Sequence, residues 1–345
     1  MITQTEHLII QSENDREAIL RAAEILRGGG LVAIPTETVY GLAANALDTE
    51  AVAKIFRAKG RPQDNPLIVH ISELDQLSPL VSEIPEGAKI LAERFWPGPL
   101  TMVLNRSELV PPSVSAGLST VAVRFPKNPV ARAIITACGL PLAAPSANLS
   151  GSPSPTTAEH CIRDLEGRVD AIVISDPCEV GLESTVVALF SDTPRLLRPG
   201  AVTAEQLREA LGSLTVDPAV TAKPEEGKPV ASPGMKYKHY APKTHVILID
   251  SSKEEYINYV NAHSGEGVFA LCFKEDESQI NAPAVLYGSE KDEASQAAGL
   301  FAALRKLDDL GAKVAYAHAP TLSGMGLAVY NRLIRAAAFE VIKLK

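Results

Sequence analysis

The chain is poor in paired cysteine. Its four cysteines, Cys138, Cys161, Cys178 and Cys272, form no C-x-x-C pair in 345 residues. Neither a structural zinc site nor a disulfide framework is expected from that spacing, and reduced, buried thiols are. No apolar run approaches the roughly 18 residues needed to span a bilayer. The opening MITQTEHLIIQSENDREAIL has no basic stretch ahead of an apolar core, so no secretory signal is read and a cytoplasmic protein is expected. Positive charge is not in excess either: 33 Lys and Arg face 41 Asp and Glu, a net charge of −8. With a pI near 5.5, broad binding to nucleic acid or anionic membrane is disfavoured, while a local basic pocket for one phosphate compound stays compatible. The cluster Gly28-Gly29-Gly30 is not followed by lysine and Ser/Thr in Walker spacing, so it reads as a helix C-cap. A nucleophile elbow and a credible Cys/His pair are also missing.

What is present suits a globular enzyme. Hydrophobic residues at 46% and charged ones at 21% are ordinary values, and the length favours two domains over one. Ala18, Ile19, Ala22, Ile25 and Leu26 predict a helix over 14–27, capped by Asn14 or Asp15. Leu31–Ile34 predicts a buried strand, ended by Pro35 and followed by Thr36-Glu37-Thr38. Asp48 and Thr49 open a helix whose buried face is Val52, Ile55 and Phe56. It ends in Arg57, Lys59, Gly60 and Arg61 before Pro62, and Asn65-Pro66 turns into a strand ending at His70. By themselves Lys59 and Arg61 read as ordinary cations in a helix's last turn. Hydroxyls, cations and an amide nevertheless fall on loops beside buried strands, where open α/β sheets place their sites.

Further helices are expected over 86–95, 157–166 and near 203–212, and strands over 100–104, 119–124, 169–175 and 214–216. Trp96 reads as a packing anchor. Arg124 shares a strand face with Thr120 and Ala122; it sits either at an edge or in a cleft to meet an anion, and the pattern does not choose. Ser146 and Asn148 alternate onto one side of LAAPSAN. Prolines at 218, 224, 229, 233 and 242 rule out long regular structure over 217–243. Yet SPGMKYKHYAP packs cations and aromatics together, unlike a passive spacer. Beyond it, 244–345 alternates strands with helices, including a long helix over 292–309 with Ala297, Leu300, Phe301, Leu304 and Leu307 inward. That alternation predicts a small parallel, Rossmann-like sheet, although no G-x-G-x-x-G follows its first strand. His318 reads as structural.

The strings PTETVYGL and KGRP-x-x-NPL-x-VH resemble the YrdC-like, threonylcarbamoyl-AMP synthase family. S-x-N at 146–148, GLESTV from 181 and Arg198-Pro199-Gly200 resemble its further signatures, and the SPGMKYKHYAP linker resembles its long, two-domain branch. The resemblance implies a YrdC-like catalytic domain over 1–216 with an open, twisted, mixed sheet and helices. A linker over 217–243 would serve as a lid, and a smaller Rossmann-like α/β domain would fill 244–345. The implied enzyme is a nucleotidyltransferase: L-threonine, bicarbonate and ATP give L-threonylcarbamoyl-adenylate and pyrophosphate for N6-threonylcarbamoyladenosine modification of tRNA. Its product would pass to a tRNA threonylcarbamoyl transferase machinery.

The resemblance also carries roles onto residues. Lys59, Arg61, Ser146 and Asn148 become a polar tetrad around the phosphates and carbamate. Arg61, Asn65, Thr120, Ser146, Ser154 and Arg198 would contact ATP. Thr38, His70, Arg124, Ser184 and the backbone at Ala144 would hold threonine. Ser232, Lys236 and Tyr237, with His239 and Tyr240, would belong to the lid. Mg²⁺ is expected with ATP, with no protein metal site assigned, and neither a membrane nor a stably bound nucleic acid is expected. Two other readings compete. A non-catalytic RNA-binding protein could use the concave YrdC-like face. A carbamoyltransferase of hydrogenase maturation would need zinc-finger cysteines and an acylphosphatase-like segment, and both are missing.

Overall fold

The computed structural model describes residues 4–223 and 239–344. The first sheet has eleven strands: β1 (Glu6–Ile9), β2 (Val32–Ile34), β3 (Gly41–Asn45), β4 (Ile68–His70), β5 (Leu100–Asn105), β6 (Thr120–Arg124), β7 (Leu142–Ala143), β8 (Ala171–Ile174), β9 (Thr185–Ala188), β10 (Arg195–Arg198) and β11 (Thr215–Val216). They lie in the order β1-β8-β2-β3-β7-β4-β6-β5-β9-β10-β11. Parallel pairs such as β4 with β6 occur beside antiparallel ones such as β5 with β6, so the sheet is mixed, as expected. Helices α1 (Arg16–Arg27), α2 (Thr49–Lys59), α3 (Glu86–Phe95), α4 (Pro112–Ser115), α5 (Pro129–Cys138), α6 (Ala158–Leu165) and α7 (Ala204–Leu211) accompany it.

The second sheet holds β12 (His245–Asp250), β13 (Val268–Cys272), β14 (Ala284–Leu286), β15 (Val314–His318) and β16 (Val341–Lys343), with α8 (Lys253–Ala262), α9 (Glu293–Asp309) and α10 (Gly326–Ala336). All its pairings are parallel. Its order is β14-β13-β15-β12-β16, with the domain's fourth strand inserted between its first and second; the usual dinucleotide-binding order keeps the first two adjacent. All five residues expected on the inner face of α9 are buried. Among the described residues no helix is long and apolar enough to cross a membrane, and the four cysteines are free.

Local chemistry explains the element that matters most for function. Asp48 caps α2 by accepting from the N–H groups of Glu50 and Ala51, worth about 1 kcal/mol. Val52, Ile55 and Phe56 are buried as the spacing predicts. Gly60 then takes a left-handed conformation (φ 61°), and the Arg61 N–H reaches back to Phe56 O at 2.9 Å. That reversal, cheap only for glycine, turns Lys59 inward on one side and Arg61 inward on the other. Trp96 is a buried anchor whose Nε1 donates to Leu100 O at 2.7 Å.

The two sheets share apolar packing: Val39 and Leu182, from loops of the first sheet, join the second domain's core beside Tyr240. Buried ion pairs cross the same interface. Arg305 of α9 grips Asp164 of α6 through two hydrogen bonds of 3.0 and 2.7 Å, and Arg332 of α10 meets Glu183 at 3.0 Å.

Candidate active site

The site lies where β4 and β6 end and β9 begins. The parallel register pairs His70 with Arg124, so both project from one row of the sheet. An isolated bridge from Gly41 to Ser146 brings the PTETVYGL loop against the S-x-N loop. Gly200 packs against the start of β9, where a Cβ would lie 2.5 Å from Thr185 N. Among the expected residues, Thr38, Arg61, His70, Arg124, Ala144, Ser146, Ser184 and Arg198 line one cavity. His239 and Tyr240, the last residues of the linker string, line it too. Its free volume is about 60 Å³.

Arg124 is the best-placed anion receptor. Its Nη1 donates to Thr38 Oγ1 at 2.7 Å and its Nε to Gly98 O at 3.3 Å. Nη2 lies 2.7 Å from Glu37 Oε1, both side chains being 4% exposed. Burial by itself would raise the Glu37 carboxyl, but the Arg124 guanidinium together with backbone N–H donors holds it below its usual range. Burial, reinforced by Arg124, pushes the His70 pKa down to about 3. The neutral ring places Nδ1 3.1 Å from Ile68 O, which assigns the proton to Nδ1 and leaves Nε2 an acceptor.

The cations on the opposite wall are less balanced. Lys59 is 2% exposed, and its Nζ donates to the carbonyls of Ser146 and Asn148. No carboxylate stands within ion-pair distance of it among the described residues. Burial, then the nearby Arg61, drives its pKa well down. Arg61 Nη2 reaches the carbonyls of Asn65 and Pro66 at 3.4 and 3.2 Å, and burial lowers its pKa to about 10. Arg198 donates through Nε and Nη2 to the carbonyl and hydroxyl of Ser184, at 2.9 and 3.2 Å. Ser184 Oγ also meets Thr101 Oγ1 at 2.7 Å.

The remaining expected residues, Lys59 among them, do not line this cavity. Asn65 is 1% exposed, and both polar atoms of its amide lack a partner. Such a group is costly unless a ligand completes it. Asn148 holds its own loop by donating to Leu149 O and Ser152 O at 2.7 and 2.9 Å. Ser154 donates to Glu183. Thr120 is half-buried at the opposite end of β6 from Arg124, paired with Asn105. Ser232, Lys236 and Tyr237 fall outside the described residues. Three residues of the site's structure were not singled out from the sequence: Glu37, Glu183 and Arg332. The first two were visible as carboxylates inside the signature strings, whereas nothing around Arg332 marked it.

Among the described residues no group of three His, Cys, Asp or Glu is arranged to hold a metal. Glu183, the carboxylate on the cavity wall, is spent on Arg332 and Ser154.

Comparison with known proteins adds an independent line. A family model described as "Telomere recombination" (Sua5, YciO and YrdC) matches residues 24–200, and one for the threonylcarbamoyl-AMP synthase C-terminal domain matches 202–338. A Bacillus subtilis threonylcarbamoyl-AMP synthase is 46% identical over 96% of each chain, and a Pyrococcus abyssi one is 44% identical over 94% of this chain and 95% of its own. The crystal structure of P. abyssi Sua5 with L-threonine superposes with a TM-score of 0.91 at 41% identity, covering 99% of this chain and 100% of that one.

Proposed function

The chain belongs to the threonylcarbamoyl-AMP synthase family, in its two-domain form, and from that footing we propose that it makes L-threonylcarbamoyl-adenylate and pyrophosphate from L-threonine, bicarbonate and ATP. The product serves N6-threonylcarbamoyladenosine modification of tRNA. The observation that carries this reading is the charge of the cavity. Arg61, Arg124 and Arg198 face it with Lys59 behind; the carboxylate on its wall, Glu183, and the nearby Glu37 already answer to arginines. A site so arranged is completed by anions, here a triphosphate and an amino-acid carboxylate.

The chemistry follows from these groups. Arg124 and Thr38 take the threonine carboxylate, and the Nε2 lone pair of neutral His70 accepts a hydrogen bond from the substrate amine or hydroxyl. The amine nitrogen forms a bond to the carbon of bicarbonate, water leaves, and a carbamate results. A carbamate oxygen then attacks the α-phosphorus of ATP as the bond to the β-phosphate oxygen breaks, and pyrophosphate departs. Lys59, Arg61 and Arg198 offset the charge crowding that transition state, which is the main task left to a protein with no covalent nucleophile in play. Asn65 supplies an unspent amide beside Arg61, and Ser146 and Ser154 supply hydroxyls. The donor set forms no cage for magnesium, so Mg²⁺ enters as the counter-ion of ATP and no step is assigned to a protein-held metal.

About 60 Å³ of free space is far below the roughly 300–1,000 Å³ of small-molecule sites. Entry of ATP requires part of this wall to open, and the lid reading assigns that movement to the linker end at His239 and Tyr240. His239 Nε2 is buried without a partner, which makes it a poor permanent wall and a suitable contact for a bound ligand. The reading includes a cytoplasmic enzyme that hands its adenylate to a tRNA-modifying transferase.

Pyrophosphate release from ATP with Mg²⁺, threonine and bicarbonate, and with each omitted in turn, tests the proposal. Release that needs both threonine and bicarbonate is expected. Equal release with serine would keep the chemistry and undo the substrate; no release from folded protein, with salt-sensitive RNA binding, would favour the RNA-binding alternative.

A further inference from the structure

Arg332 is the largest side chain in the described residues that is wholly buried. It sits on α10 of the second domain, but its donors are spent mainly on the first. Nε donates to Glu183 Oε2 at 3.0 Å, Nη2 to the Glu183 carbonyl at 3.1 Å, and Nη1 to the Pro199 carbonyl at 2.5 Å. Its guanidinium carbon lies 5.9 Å from the centroid of the Tyr240 ring. Through its other oxygen Glu183 accepts from Ser154. Glu183 precedes Ser184, and Pro199 follows Arg198, which itself donates to Ser184. One guanidinium thus meets three separate segments around the cavity, at Glu183, Pro199 and Tyr240, and reaches a fourth, at Ser154, through Glu183.

Holding the domains together does not require this arrangement. The Arg305–Asp164 pair, the Asn331 amide on Val220 O at 2.6 Å and Arg335 on Ala219 O at 2.8 Å cross the same interface. Charge gives Arg332 a further role. Without it the Glu183 carboxylate would be buried, unpaired and aimed at the wall that faces the phosphates, where it would repel them.

We propose that Arg332 is a positioning residue for adenylate formation. It neutralises Glu183 and sets Ser184, Arg198 and Ser154 in register, so that the second domain completes the active site. This rests on the synthase reading above.

The test is the KM for threonine and for ATP in Arg332→Met, Arg332→Lys and the double variant Arg332→Met/Glu183→Gln. Arg163→Ala serves as a control, since it breaks an exposed 2.7 Å pair to Asp309 across the same interface. Displacing binding groups by about 1 Å can cost on the order of 100-fold. Arg332→Met is expected to raise both KM values by about tenfold or more, and Glu183→Gln to recover part of the ATP effect by removing the stranded charge. A role in interface packing alone lowers the folded fraction without moving either KM. Unchanged KM values in Arg332→Met, or in Arg332→Lys if the first does not fold, would overturn the proposal. Threonine binding by calorimetry separates the two layers. If the wild-type protein releases no pyrophosphate the synthase reading fails, and if it does while Arg332 variants keep their affinity only the positioning role fails.

Discussion

Two deeply buried polar groups, one in each domain, find different partners. In the second, His318 Nδ1 meets Asp276 Oδ2 at 2.7 Å, the ring stacks on Tyr256 at 4.3 Å between centroids, and Tyr287 donates to the His318 carbonyl at 2.7 Å. A cation-capable ring faces a carboxylate, and aromatic rings enclose them. In the first, Lys59 is as deeply buried and meets only carbonyl and amide oxygens, while the Asn65 amide beside Arg61 has no partner at all. A buried charge left uncompensated costs several kcal/mol. A protein tolerates that cost where a ligand supplies the missing charge, so the contrast separates a structural polar cluster from a binding site.

The strongest way to break this comparison is at Lys59. Lys59→Met is expected to lower pyrophosphate release by a factor of about 100 to 1,000, the usual effect of losing one electrostatic stabiliser. The melting temperature should stay level or rise, because an unbalanced buried charge has gone. A large loss of stability with a mild loss of activity would make Lys59 a structural residue. Arg124→Lys sharpens the threonine side. Loss of the planar fork should raise the threonine KM by about 10- to 100-fold, the equivalent of one or two charge-assisted hydrogen bonds, and leave the ATP KM nearly unchanged.

The converse experiment belongs to the second domain. Asp276→Asn should cost about 3 kcal/mol in denaturant unfolding, typical of breaking a buried pair, with kcat/KM intact in the folded protein. The smallest effect is one of pH. His70 has its folded pKa depressed to about 3 by burial, against about 6.5 unfolded. Between those values the unfolded chain binds the extra proton, so stability is full above pH 6.5 and is lost as pH falls below it. From pH 7 to 5 the loss from this one group is about 2 kcal/mol, and His70→Gln should remove that share of the slope in urea unfolding measured across the range.

Much of this was legible in the chain itself, and the failures are physical. Helix α2 carried its cap, its buried face and its glycine stop between Asp48 and Gly60, and α3 has the expected ends. Strand β3 was not anticipated, because GLAAN has neither β-branched residues nor alternation; it is a strand because it pairs with β2 and β7. Helix α5 was passed over although Asn128-Pro129 opens it, with Asn128 Oδ1 accepting from Ala131 N at 3.0 Å. Strand β16 is three residues, two half-buried and one exposed, whose identity comes from its place beside β12. For the site, the hydroxyls, cations and amides were readable in the signature strings, while their carboxylate partners were not.

What the sequence determined alone is local and repetitive: which segments bury a face, where glycine or proline must end a helix, and which strings hold polar groups next to buried strands. Those properties depend on neighbours within a few residues, so a linear reading reaches them. The tertiary structure alone decided which charges are answered. Glu37 meets Arg124 from 87 positions away and Arg332 meets Glu183 from 149. The ordering of strands that brings them together is set by the packing of two sheets, not by any pattern along the chain.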